Sequence, residues 1–150
     1  MMRDPYLRQK PPKTAGREQF GASYAENLWA WSKKHRARPQ DLVRTATIAS
    51  AFSIVDALQQ FVLPKANIAE LIVAGGGAKN PLIMAQLEAA LAGIKIVESS
   101  RFGVAADAKE AFAFAILAYE AFHSRTNNLP SATGAKHSAI LGKLVHGLAR

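Results

Sequence analysis

Glu70-Leu71-Ile72-Val73-Ala74-Gly75-Gly76-Gly77-Ala78-Lys79-Asn80-Pro81 is the stretch on which the reading of this chain turns. Leu71 to Ala74 is a short continuous apolar run, the pattern of a buried strand. Three glycines end it. Asn80 is a good N-cap, and Pro81 suits a first helical turn, where the missing N–H removes no bond. Glycines at such a junction let a ligand approach the backbone with no Cβ in the way, and the helix that follows offers free N–H groups and the positive end of its dipole. That combination suits a nucleotide. A tight strand-to-helix turn uses glycine just as well, and on these residues alone both readings stand. The loop is no dinucleotide fingerprint, since no glycine follows at the sixth position. Nor is it a P-loop, because Lys79 lacks the preceding glycine and the following Ser or Thr.

Working outward, a helix is expected over Pro81 to Ala92, ended by Gly93, with a second strand at Ile94-Lys95-Ile96-Val97. Upstream, Pro39 and Asp41 open a helix that runs to Val62 before Pro64. Its positions Ala51, Val55, Leu58 and Val62 form a stripe widened by Ile48 and Phe52, which predicts packing on two sides. A shorter helix, Ala22 to His35, presents Tyr24, Leu28 and Trp31. Everything before Gly21 reads as loop, because Pro5, Pro11 and Pro12 remove backbone donors and Gly16 loosens the chain. Downstream, Ala105 to His123 is helical, with Ala108, Phe112, Ala115, Ile116, Tyr119 and Phe122 on one side. Asn127 to Ala135 is a turn-rich loop, and Ile140 to Val145 a short apolar tail.

With 150 residues, 49% of them hydrophobic and 20% charged, the composition is that of an ordinary globular domain. No run approaches the ~20 apolar residues that span a bilayer. The opening Met1-Met2-Arg3-Asp4-Pro5-Tyr6 has no apolar core and does not read as a signal peptide. The chain has no cysteine, which excludes disulfides and thiolate metal sites and fits a cytoplasmic protein. Its four histidines, His35, His123, His137 and His146, are too scattered to suggest a metal site. Most of the net charge of +8 lies at the front, where residues 1–44 hold ten basic and four acidic side chains. Such a segment can meet nucleic acid, but a solvated face or the rim of a phosphate site accounts for it better.

Three further places bear groups able to do chemistry. Asp107 and Glu110, three apart near a helix start, share one face. They suit sugar hydroxyls or proton transfer, although acids there also simply complement the helix dipole. The basic loop Lys10-Pro11-Pro12-Lys13-Thr14-Ala15-Gly16-Arg17-Glu18 can hold an anion through Arg17, or be surface. The final loop, Asn127 to Ala135, offers amides and hydroxyls but no nucleophile with a partnered base.

Four segments, in order, resemble the C-terminal portion of the anhydro-N-acetylmuramic acid kinases. They are Asp4-Pro5-Tyr6 with Pro11 to Glu18; Glu70 to Pro81; Phe102-Gly103-Val104-Ala105-Ala106-Asp107-Ala108-Lys109-Glu110-Ala111-Phe112-Ala113-Phe114-Ala115; and Asn128-Leu129-Pro130-Ser131-Ala132-Thr133-Gly134-Ala135 closed by Ile140-Leu141-Gly142. In one respect the match is loose: Lys13-Thr14-Ala15-Gly16 stands where the family more usually shows Lys-Ser-Thr-Gly.

The resemblance implies an α/β fold, the helix-rich C-terminal part of a ribonuclease-H-like, actin-type ATPase lobe with an incomplete sheet. Residues 1–38 would be a basic loop and short helix, and 39–150 the nucleotide-side lobe. It implies an ATP- and Mg²⁺-dependent kinase that opens the 1,6-anhydro ring of its amino sugar to give N-acetylmuramic acid 6-phosphate in cell-wall recycling. Gly75, Gly76, Gly77 and Asn80 would form the adenosine-side loop, Glu110 would lie on the sugar side, and the Lys13–Arg17 loop would border the cleft. The family's first phosphate loop and aspartate base precede the point where this sequence begins. Residues 1–150 alone are therefore expected to be inactive, with bare apolar faces that favour oligomers. The alternatives are a non-catalytic nucleotide-binding module and, more remotely, a basic nucleic-acid-binding domain.

Overall fold

A computed structural model describes residues 1–145. Two short helical turns come first, α1 (Pro5–Arg8) and α2 (Arg17–Phe20). The Asp4 carboxylate caps α1 by accepting from the Tyr6 N–H at 2.9 Å. Gly21 separates α2 from α3 (Ala22–Lys34), and only glycine fits there, because a Cβ would collide with the Arg17 carbonyl oxygen. α3 leads to the long helix α4 (Pro39–Phe61), which begins at a proline and at the Arg38–Asp41 ion pair.

The centre of the fold is one β–α–β unit. β1 (Glu70–Val73) passes through the glycine loop and the 3-10 turn Gly76–Lys79 into α5 (Pro81–Ala90), which returns to β2 (Lys95–Glu98). The strands pair in parallel with Leu71 opposite Ile96 and Ile72 opposite Val97. Alternation along the strands sends Leu71, Val73 and Ile96 to one face, where they pack on α4 and α5. The core there is Ala51 and Val55 from α4, with Leu87 and Leu91 from α5 and its end. Leu87 is only 1% exposed, and enclosing such a side chain contributes about 1.5–3 kcal/mol.

The last third is looser. After a 3-10 turn, Ser99–Phe102, the chain forms α6 (Lys109–Phe122), which buries none of its residues, and then the turn α7 (Pro130–Thr133). The Asn127 side chain bridges α6 to the tail, donating to the Leu117 and Leu141 carbonyls at 2.9 and 3.1 Å. Asn128 Oδ1 accepts from the Ala139 N–H at 2.7 Å. These two amides are thus engaged in holding backbone.

The α/β class and the order of the main helices and strands agree with the sequence reading. The stretch before Gly21 is not all loop, since prolines that block a helix interior are tolerated in a first turn, as at Pro5 and again at Pro130 of α7. β1 lies one residue earlier than expected, because pairing ends before Gly75 turns away, and β2 lies one residue later. α4 does pack on two sides, against α3 and α5, but Phe52 remains exposed. The aromatics of α3 are also less covered than expected: Trp31 is exposed and stacks on its own helix's His35, with ring centroids 4.2 Å apart. The largest correction concerns α6. It starts at Lys109 rather than Ala105, so Asp107 lies in the preceding turn and does not share a helix face with Glu110. Of the four histidines, His146 lies outside the described residues.

Candidate functional site at the glycine loop

The loop follows directly from β1. Gly75 adopts φ +84 and ψ −177, a region essentially confined to glycine. At Gly76 and Gly77 no positive φ calls for glycine. A Cβ built on Gly75 or Gly76 meets nothing within 4 Å, and one on Gly77 meets only Ile83 Cδ1 at 3.9 Å. The loop therefore presents bare backbone to open space. No neighbouring atom crowds Gly76.

Asn80 ends the loop and starts α5. Its Oδ1 accepts from the Leu82 and Ile83 N–H groups at 3.0 and 3.3 Å, the arrangement of a helix N-cap. Beside it lies an open groove of about 670 Å³ between the first turns of α4 and α5, lined by Gln40, Asp41, Arg44, Thr47, Asn80 and Leu82. Asp41 is held below the ordinary carboxylate range by the hydrogen bonds it accepts from Arg38, at 2.8 and 3.1 Å. Arg38 is correspondingly held above the usual value.

A second groove, of about 490 Å³, runs from the edge of β1 beneath Gly77 and Ala78 to Ser99 and Lys109. Sequence reading gave Ser99 no part. Its hydroxyl is buried with no hydrogen-bond partner among the described residues, a placement that no local sequence signal announces.

The remaining candidates separate. Asp107 pairs with Lys79, so the cation of the glycine loop is engaged by a side chain just before α6. Glu110 stands exposed in the first turn of α6, with no hydrogen bond or ion pair among the described residues. Lys13 is turned inward: its ammonium donates to the Tyr6 and Leu7 carbonyls at 3.0 and 3.1 Å and lies 4.6 Å from the Tyr6 ring centre. It thereby caps α1. Arg17 stays exposed on α2. The first and last segments of the resemblance meet, since a Cβ on Gly134 would lie 3.3 Å from Pro12 Cγ.

The family profile for anhydro-N-acetylmuramic acid kinase matches residues 1–147. The chain belongs to that family. Curated relatives of that name include one from Caldanaerobacter subterraneus subsp. tengcongensis, 37% identical over 144 residues, covering 96% of this chain and 36% of the relative. Another, from Salinibacter ruber, is 43% identical over 139 residues, covering 93% and 35%. A third, from Francisella tularensis subsp. novicida, is 42% identical over 144 residues, covering 96% and 37%. The chain thus spans about a third of the length of the anhydro-N-acetylmuramic acid kinases it matches. In this family setting the glycine loop, the α4–α5 groove and the turn before α6 are neighbours in one small region. No helix among the described residues is long and apolar enough to cross a membrane.

Proposed function

We propose that this chain is the nucleotide-side, C-terminal portion of an ATP-dependent kinase acting on 1,6-anhydro-N-acetylmuramic acid to give N-acetylmuramic acid 6-phosphate. The observation that carries the reading is the bare backbone of Gly75, Gly76 and Gly77, open to space between a strand end and the start of α5, in a chain of this family. Gly76 and Gly77 would face the nucleoside side of ATP. Asn80, whose Oδ1 is occupied as a cap, would act through its side-chain NH₂ and by fixing the start of α5. The groove beside Arg44 and Asn80 has room for a nucleoside. Glu110 is free to accept hydrogen bonds from sugar hydroxyls. The partial lobe belongs to the ribonuclease-H-like, actin-type architecture, and the protein works in the cytoplasm.

Mg²⁺ on a nucleotide is held chiefly by its phosphates and water, with one or two protein carboxylates at most. Near the glycine loop, Asp107 is taken up by Lys79 and Asp41 by Arg38, so neither is assigned to the ion. Phosphoryl transfer rests on positioning and charge stabilisation. Residues 1–150 supply the nucleoside wall and one sugar carboxylate, but no group identified as the base that activates water. On that account the chain alone binds nucleotide without turnover.

Titration calorimetry with ADP, on the chain and on Gly76→Val, tests this. The reading expects saturable binding to the chain and a loss of at least about tenfold in the variant, since the added side chain fills the space left for the ligand. Circular dichroism should be unchanged, because no chain atom occupies that space. Absence of binding to the unmodified chain, or equal binding to both, would sink the nucleotide assignment. Release of sugar phosphate by the purified chain would sink the expectation of inactivity.

A further inference from the structure

The glycine loop is held at both of its ends by two consecutive residues from outside it. At its start, the Gly75 N–H donates to the Ala106 carbonyl at 3.1 Å. At its close, the Lys79 ammonium pairs with the carboxylate of Asp107. Nothing about the strand or α5 requires this. The loop's internal bonds, from Ala78 N–H to the Gly75 carbonyl and from Asn80 N–H to the Gly77 carbonyl, each at 3.1 Å, shape it locally but do not fix it to the rest of the chain. Ala106 is buried, whereas Lys79 and Asp107 side chains are 62% and 65% exposed. One anchor is therefore shielded backbone, and the other is a solvent-facing ion pair that can open.

We infer that Ala106 and Asp107 act together as a two-point staple, and that Asp107 is a positioning residue for the glycine loop, acting through Lys79. The inference rests on the nucleotide reading only for its effect on ligand binding. Two physical consequences follow. The backbone that faces the open space takes its orientation from the turn at residues 105–108, immediately ahead of the helix that carries Glu110. The nucleotide wall and the proposed sugar carboxylate are thus joined by one ion pair and the two residues between Asp107 and Glu110. Lys79, meanwhile, serves as a strut and is not free to meet a phosphate while Asp107 holds it. An exposed ion pair contributes little to global stability, so its role is visible in the loop rather than in the unfolding midpoint.

The test compares the chain with Asp107→Asn, Lys79→Gln and the double exchange Lys79→Asp/Asp107→Lys. Amide hydrogen exchange without nucleotide is the first readout. Both single variants should speed exchange at Gly75, which neither side chain touches, and the double exchange should restore it. Amides in the middle of α5 should not change in any variant, which confirms that the fold is intact. Unchanged exchange at Gly75 in the single variants, or failure of the double exchange to restore it, overturns the staple. ADP titration is the second readout: affinity should fall about two- to fivefold in the single variants and recover in the double one. Equal ADP affinity in all four proteins overturns the positioning role. A chain that never binds ADP refutes the nucleotide reading instead, and leaves the exchange result to decide the staple.

Discussion

α5 and α6 are both strongly apolar helices, and they meet opposite fates. In α5, Ile83, Leu87 and Ala90 pack into the core with β1, β2 and α4, and Leu87 vanishes from solvent. In α6, Phe112, Phe114, Ile116, Tyr119 and Phe122 all stay exposed, Phe114 at 70%. Composition does not distinguish the two. α5 sits between two strands that hydrogen-bond to each other, so its apolar stripe meets a sheet face on return. α6 follows the second strand with no third strand behind it among the described residues, and its contacts run chiefly to the tail, through Leu141 and Gly142. Hydrophobic side chains make a core only where the topology brings a second surface to them.

The largest expected effect follows from that contrast. Leu87→Ala should cost about 2–5 kcal/mol in denaturant unfolding, whereas Phe114→Ala should stay within about 0.5 kcal/mol. If Phe114→Ala costs as much, α6 is covered in solution, by association or by further chain. Sedimentation across a concentration series would show which, and the bare α6 face favours association that Phe112→Ser/Phe114→Ser weakens.

The two faces of the glycine loop sharpen the comparison on a smaller scale. Gly75→Ala should lower stability by about 1–3 kcal/mol, because a Cβ is strained at φ +84 even though space is available. Gly76→Ala should change stability by less than about 0.5 kcal/mol, since neither a positive φ nor a neighbour opposes it, yet still weaken ADP. Equal destabilisation by both would mean that the loop has one role, the turn.

The smallest effect is expected from acid. Asp41 at the start of α4 and Glu120 near the end of α6 are both held below their ordinary values of 3.8 and 4.5 by hydrogen bonds from Arg38 and Arg125. A carboxyl depressed in the folded state lends stability above its unfolded value and loses it as pH falls through the folded one. Amide protection, taken relative to the intrinsic exchange rate at each pH, should therefore stay level above about pH 4.5 in the first turn of α4 and the last turn of α6 and fall below the ordinary values. The effect on α4 should stay confined to that turn, because the core beyond it at Ala51 and Val55 is buried. In α6, fraying should spread further along the helix.

Much of the fold was legible because its signals are local. Proline at Pro39 and Pro81, Asn80 as a cap, and apolar runs closed by glycine each act within a few residues, and helices and strands appeared where these stood. What escaped were features fixed by partners distant in sequence. Asp107 lies 28 residues from Lys79, so no helical periodicity reveals the pair, and its engagement there accompanies the late start of α6. Lys13 reads only as one cation of a basic loop until the Tyr6 and Leu7 carbonyls are seen to hold it. Ser99 is unremarkable in sequence and becomes an unpartnered hydroxyl only once the groove beside β1 is built around it.

The sequence by itself determined the order of the main helices and strands, the glycine loop between β1 and α5, and, through four segments in register, the family, because each of these is carried by residues close together along the chain. Tertiary structure alone decided which of two similar apolar helices became core, which cation of the glycine loop is paired, and which of its glycines adopts a positive φ. The reason is physical: burial, ion pairing and open volume are properties of surfaces that meet, and where surfaces meet depends on the parallel pairing of β1 with β2 rather than on any residue's immediate neighbours.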